Sequence, residues 1–218
     1  LFRSYKFPNL ISTFYNFFNI AWRETSAKIV RDNDVKEFDK IYRMVKAAIL
    51  AITIMLIAAI RYIYPFFINV QYQESIVYVP ILAISIYYTS LSAFYGGVFS
   101  AYKETKILGT TSTYAAIINL VVDLALFKFI GVYAAAISTL ASSLFLYLYR
   151  KYKMKKFFNA YEKNDAGILA VFVVLLGMFY LNSSALNLVA IVLALAVSLI
   201  FNMHTIGMFL NKFKKYKR

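Results

Sequence analysis

The chain has 218 residues, of which 61% are hydrophobic and 16% charged, against roughly 45–50% apolar and about 25% charged in soluble domains. That apolar excess is more than a soluble core of this size can hide, and it calls for lipid. With no cysteine and a single histidine, His204, a disulfide framework, thiol chemistry and a zinc or histidine cluster are excluded; the net charge of +14 sits in short stretches between apolar runs, the placement of a membrane protein and not of a nucleic-acid binder.

The chain opens on Leu1, and Leu1–Phe7 is too short for a signal peptide and carries Arg3 and Lys6. The expectation is a piece of a longer protein, with a processed N-terminus as the alternative. A helix needs about 20 apolar residues to cross roughly 30 Å of hydrocarbon. Residues 10–30 predict a first span, interrupted by Asn16 and Asn19 and carrying Arg23 and Glu24. The mixed-charge segment Asp32–Lys46 predicts a short amphipathic helix on the inner leaflet, with Glu37/Lys40 and Asp39/Arg43 at helical pair spacing. Further spans follow at Ala47–Ile68, apolar apart from Arg61, and at 77–99 inside the uncharged run Ser75–Tyr102. Ile107–Ile130 is apolar apart from Asp123 and Lys128, and Val132–Tyr149 follows a tight turn at Gly131. From Ala166 to Asn211 there is no Asp, Glu, Lys or Arg over 46 residues. As one helix that run would be ~69 Å long, twice what a bilayer accommodates. It therefore folds back at Leu181-Asn182-Ser183-Ser184, with spans near 166–182 and 187–209. The fold class expected is an all-α integral membrane protein with about seven transmembrane helices.

Lysine and arginine set the orientation. Nineteen of them fall in the connections after the first, third and fifth spans and in the Lys212–Arg218 tail. Only Arg3, Lys6, Arg61 and Lys128 fall on the other side. The positive-inside rule then puts the C-terminus in the cytoplasm.

Candidate functional residues are the polar ones inside apolar spans. Ser112, Ala116, Asn119 and Asp123 share one helical face. A carboxylate at mid-span costs about 2.5–3.5 kcal/mol on insertion scales, and such a group faces a bundle interior or a wet cavity. Asp123 is thus a candidate proton or cation site or partner to a buried arginine, with a structural ion pair or a position shallow enough to reach water as the alternatives. Arg61 and Arg23 are candidates for contact with an anionic substrate, since arginine holds phosphate with two donors; the alternative for each is snorkelling, and Trp22 beside Arg23 suits an interface belt. Ser85, Thr89, Ser92, Gly96 and Ser100 form a small-residue stripe that reads as helix packing, with a substrate-lining role as the alternative. No metal site, cofactor motif or catalytic grouping is expected.

Three stretches resemble a known family. Tyr5-Lys6-Phe7-Pro8-Asn9 with Asn16 through Ser26 is similar to the eighth helix of bacterial polysaccharide flippases. Ala101 through Lys106 resembles their loop after the tenth helix. Asn119 through Gly131 and on to Thr139 resembles the junction of helices eleven and twelve, with Ala134 where a second glycine is common. The family is the polysaccharide-exporter branch of the multidrug/oligosaccharidyl-lipid/polysaccharide exporter superfamily. The resemblance implies residues 1–160 as helices eight to twelve, the C-terminal lobe. It implies residues 161–218 as the last helical hairpin and a basic tail of a fourteen-helix fold. It also implies transport, not bond chemistry: a polyprenyl-diphosphate-linked oligosaccharide is moved across the bacterial cytoplasmic membrane, with an N-terminal lobe of the same protein as partner. A cation-coupled multidrug-type antiporter of the same fold, and a membrane enzyme of glycan assembly, are the alternatives.

Overall fold

The computed structural model describes residues 2–158 and 165–216. Among them are seven α-helices and no strand: α1 Pro8–Asp32, α2 Val35–Phe67, α3 Val79–Ala101, α4 Thr105–Ile130, α5 Tyr133–Met154, α6 Asp165–Leu181 and α7 Ser184–Tyr216. Short 3-10 turns at Phe2–Tyr5 and Val70–Tyr78 precede α1 and α3. The expected domain boundary at 160/161 and Lys163 lie outside the described residues, as do the side chains of His204 and the Lys212–Arg218 tail.

The helix boundaries have local causes. Asn33 takes a left-handed conformation (φ 49°), and its N–H and that of Asp34 return to the last carbonyls of α1. Asparagine is one of the few residues that tolerates this geometry. The next side chain, Asp34, accepts from Glu37 N at 2.9 Å and caps α2. One dipeptide thus ends one helix and starts the next. Gly131 (φ 54°) and Asn182 (φ 50°) serve the α4–α5 and α6–α7 turns. Prolines 8 and 80 sit in the first turns of α1 and α3, where no amide donor is needed.

The amphipathic segment before the second span is not a separate helix. It is the first three turns of α2, because Phe38, Tyr42 and Val45 continue the buried face of Ile49 and Leu50 without a break. Neither Glu37–Lys40 nor Asp39–Arg43 forms an ion pair; the described pairs are Arg31–Asp32, Lys46–Asp165 and Lys151–Asp165.

Helix α3 is the hub. It is apolar all round and buried on nearly every face, packed by α1, α2 and α5. Trp22 of α1 is 1% exposed. It stacks on Phe94 with centroids 4.0 Å apart, and its Nε1 donates to Phe94 O at 2.9 Å. Trp22 is therefore a core anchor and not a belt residue: its polar edge is satisfied inside the bundle. The contact requires Gly97, where a Cβ would stand 2.6 Å from Trp22 Nε1. On the far side α4 packs mainly on α5, and α6 and α7 pack against α2.

Four helical stretches are long and apolar enough to cross a membrane: Val35–Phe67, Val70–Ala101, Thr105–Ile130 and Ser184–Met203. The other three fall short for visible reasons. α1 carries asparagines together with Arg23 and Glu24, and α5 ends in Arg150, Lys151 and Lys153. α6 is apolar but has only 17 residues.

Contacts define two ends. At one, Lys46 of α2 meets Asp165 at the start of α6 and Lys151 near the end of α5 hydrogen-bonds the same carboxylate; Phe38 stacks on Phe158, and Tyr102 packs on Phe157. This end gathers Lys36, Lys40, Arg43, Lys103 and Lys106 as well. At the other, Phe7 packs on Tyr64 and Phe67, Tyr78 on Tyr133, and Ser4 bonds Ser75 O.

Candidate functional site

The four residues singled out in the sequence occupy three separate places. Asn119 and Asp123 share the face of α4 that borders α5. Asn119 Nδ2 donates to Ser142 Oγ at 3.3 Å, and Ser142 donates on to Thr139 O. Asp123, one turn on, is half-buried, and its Oδ1 is enclosed without a hydrogen-bond partner among the described residues. Such an oxygen forgoes about 1–3 kcal/mol of hydrogen bonding, more when charged. No arginine or lysine pairs with Asp123 among the described residues.

Arg61 lies elsewhere. Its Nη2 donates to Phe179 O in the last turn of α6, and its guanidinium lies 4.1 Å over the Phe179 ring. A helix end leaves its last carbonyls unpaired and carries partial negative charge, so a cation there supplies both donor and counter-charge. Arg61 thus ties α2 to the end of α6. Arg23 is exposed on α1, and its side chain makes no described contact. It belongs to a polar edge with Asn9, Thr13 and Asn16, all exposed. Leu10, Phe14 and Phe17 run beside that edge, also exposed.

Two polar clusters were not anticipated. The first is at the basic end. Asp165 accepts from Lys46 at 2.8 Å, from Lys151, and from Tyr147 Oη at 3.2 Å, while Tyr147 and Tyr42 hydroxyls lie 3.2 Å apart. One carboxylate thereby joins α2, α5 and α6.

The second is centred on Arg150, assigned from sequence to the basic stretch after the fifth span. Helix α5 runs on to Met154, and Arg150 is only 7% exposed. Its Nε donates to Thr111 Oγ1, its Nη1 to Ser92 O and its Nη2 to Ser112 Oγ, each at 3.1 Å. It bridges α3, α4 and α5. The signal was present: Ser143, Tyr147, Arg150 and Met154 recur at steps of 4, 3 and 4, the buried face of α5. The charge run after Arg150 masked that phase.

Comparison with known protein families, with curated proteins and with solved structures finds no match for this chain. Its class rests on its own fold: a helical protein with four stretches able to cross a membrane by length and composition.

Proposed function

We propose that this chain is the C-terminal part of a membrane transporter that translocates lipid-linked oligosaccharide across the bacterial cytoplasmic membrane for surface polysaccharide synthesis. In this reading all seven helices span, and α1 and α5 do so with their polar faces turned from lipid. The observation that carries the reading is the pairing of open and polar on two helices. α1 exposes Asn9, Thr13, Asn16 and Arg23, and α4 exposes Thr105, Ser112 and Thr113 beside half-buried Asn119 and Asp123. Charged groups facing hydrocarbon cost about 2.5–3.5 kcal/mol each on insertion scales. Faces of this kind suit a water-filled path between two lobes, the arrangement in which alternating access moves a polar cargo. The resemblance of residues 5–160 to flippases supplies the cargo class.

The test is restoration of surface polysaccharide in a flippase-null strain. The chain joined to its N-terminal lobe restores it, and residues 1–218 alone do not; rescue by residues 1–218 alone contradicts the two-lobe reading. The unpartnered Asp123 oxygen is the observation favouring ion coupling. Asp123→Asn in the joined chain is expected to lower rescue at least about tenfold, equal to roughly 1.4 kcal/mol, at unchanged protein level. Full rescue would remove Asp123 from the mechanism.

A further inference from the structure

We infer that Arg150 heads a binding site for a phosphate-type oxyanion, open toward the α4 side of the bundle. The inference stands on side chains and holds whether or not the chain transports a glycolipid.

Charge balance is the first argument. A buried guanidinium is costly unless an anion neutralises it. Arg150 has only neutral oxygens around it: two hydroxyls and one carbonyl, with no carboxylate bonded to it among the described residues. Those bonds orient the group and leave its charge uncompensated.

Donor count is the second. A guanidinium has five N–H groups in a fixed fork. Three are used, one on each nitrogen. The two left over are one on Nη1 and one on Nη2, and a guanidinium with spare donors can take oxyanion oxygens. A second donor is in reserve. Tyr15 is 4% exposed, its hydroxyl has no hydrogen-bond partner among the described residues, and it lies within electrostatic range of Arg150. A phenol with no partner and a cation with no counter-charge are both groups that an oxyanion satisfies.

Access and depth are the third. Ser112, which accepts from Nη2, is exposed, so the guanidinium edge lies one hydroxyl from the surface. Thr111 is six residues into α4, about 9 Å from the basic end by helical rise. Lys103 and Lys106 stand at that end and would draw anions toward it. A phosphate carried on a lipid, or a free one, meets these requirements.

Trp22 is the single tryptophan of the chain, bonded to Phe94 O two residues from Ser92, so its fluorescence reports on the site. The detergent-solubilised chain is titrated with geranylgeranyl diphosphate, phosphatidylglycerol, inorganic pyrophosphate and uncharged geranylgeraniol. A saturable signal with at least one anion and none with geranylgeraniol is expected; the anion that saturates first separates a lipid-borne from a free source. Arg150→Gln should weaken binding at least about tenfold, as loss of a charge-assisted pair does. Tyr15→Phe, which removes one hydroxyl, should weaken it severalfold with the helical circular dichroism unchanged. If Arg150→Gln does not fold, Tyr15→Phe decides. The inference is overturned if none of the three anions binds the wild-type chain, or if folded variants bind as tightly as it does.

Discussion

Gly97 is where a single hydrogen decides the packing. A Cβ there would lie 2.6 Å from Trp22 Nε1 and 2.7 Å from Cδ1, and the indole is held in a cluster with Phe94 and Phe18. Gly97→Ala is therefore expected to lower stability by about 1–3 kcal/mol, the usual cost of overpacking, read as a lower thermal midpoint in detergent. Gly96→Ala has ordinary van der Waals room, 3.5 Å from both Arg150 and Leu108, and should change the midpoint little. An equal drop in both would show that the indole does not set the spacing. At this scale the sequence was legible in part. Asp123 and Asn119 are conspicuous as candidates because polar groups stand out in an apolar run. Arg150 was not, because an arginine beside Lys151 and Lys153 looks like one more surface cation. Trp22 was placed at an interface because its partner, Phe94, is 72 residues away, and no local pattern records such a contact.

Helix α6 has 17 residues and no charge after Asp165, so its two ends are held by other helices. Asp165 fastens its start to Lys46 and Lys151, and Arg61 fastens its end through Phe179 O. Removing Asp165 leaves two lysines close together, one of them buried. Asp165→Leu is expected to destabilise by about 1–3 kcal/mol, because the carboxylate that accepts from Lys46, Lys151 and Tyr147 is lost. Adding Lys46→Met and Lys151→Met should recover much of that loss, because apolar groups of similar volume can replace a buried ionic cluster. Failure of the triple variant to regain stability, measured by thermal unfolding, would mean the cluster does more than neutralise itself. Helix positions were the most legible layer. Apolar runs and turn residues at Gly131 and Asn182 placed α3, α4 and α6 closely, while α5 and α7 run past their expected ends to Met154 and Tyr216. The start of α2 was hidden because lysine and glutamate are good helix formers. A charged segment that keeps Phe38, Tyr42 and Val45 in phase remains part of the helix it precedes.

Across the whole molecule, the two ends differ in charge. The end holding Lys46, Lys103, Lys151 and Asp165 is rich in lysine, and the end holding Phe7, Tyr64, Tyr78 and Tyr133 is aromatic. Between them lie the apolar surfaces of α4, with Leu120, Leu124 and Phe127 exposed, and of α7, with Val192 and Leu199 exposed. Exposed apolar area on this scale is out of place against water and natural against lipid. The polar faces of α1 and α4 are the exception, and they are where the transport reading puts its path. The gross arrangement could be foreseen from hydropathy and charge. The central role of α3 could not, since its small-residue stripe marks one packing face, whereas nearly every face of the helix is packed. The absence of cysteine makes the decisive measurement clean. Single cysteines replace Asn69 or Ser183 at the aromatic end and Lys103 or Lys156 at the basic end, and an impermeant maleimide is applied to intact cells. The account predicts labelling at Asn69→Cys and Ser183→Cys from outside, and at Lys103→Cys and Lys156→Cys only after permeabilisation. Labelling of both pairs from one side, or a chain that stays in solution without detergent, would contradict it.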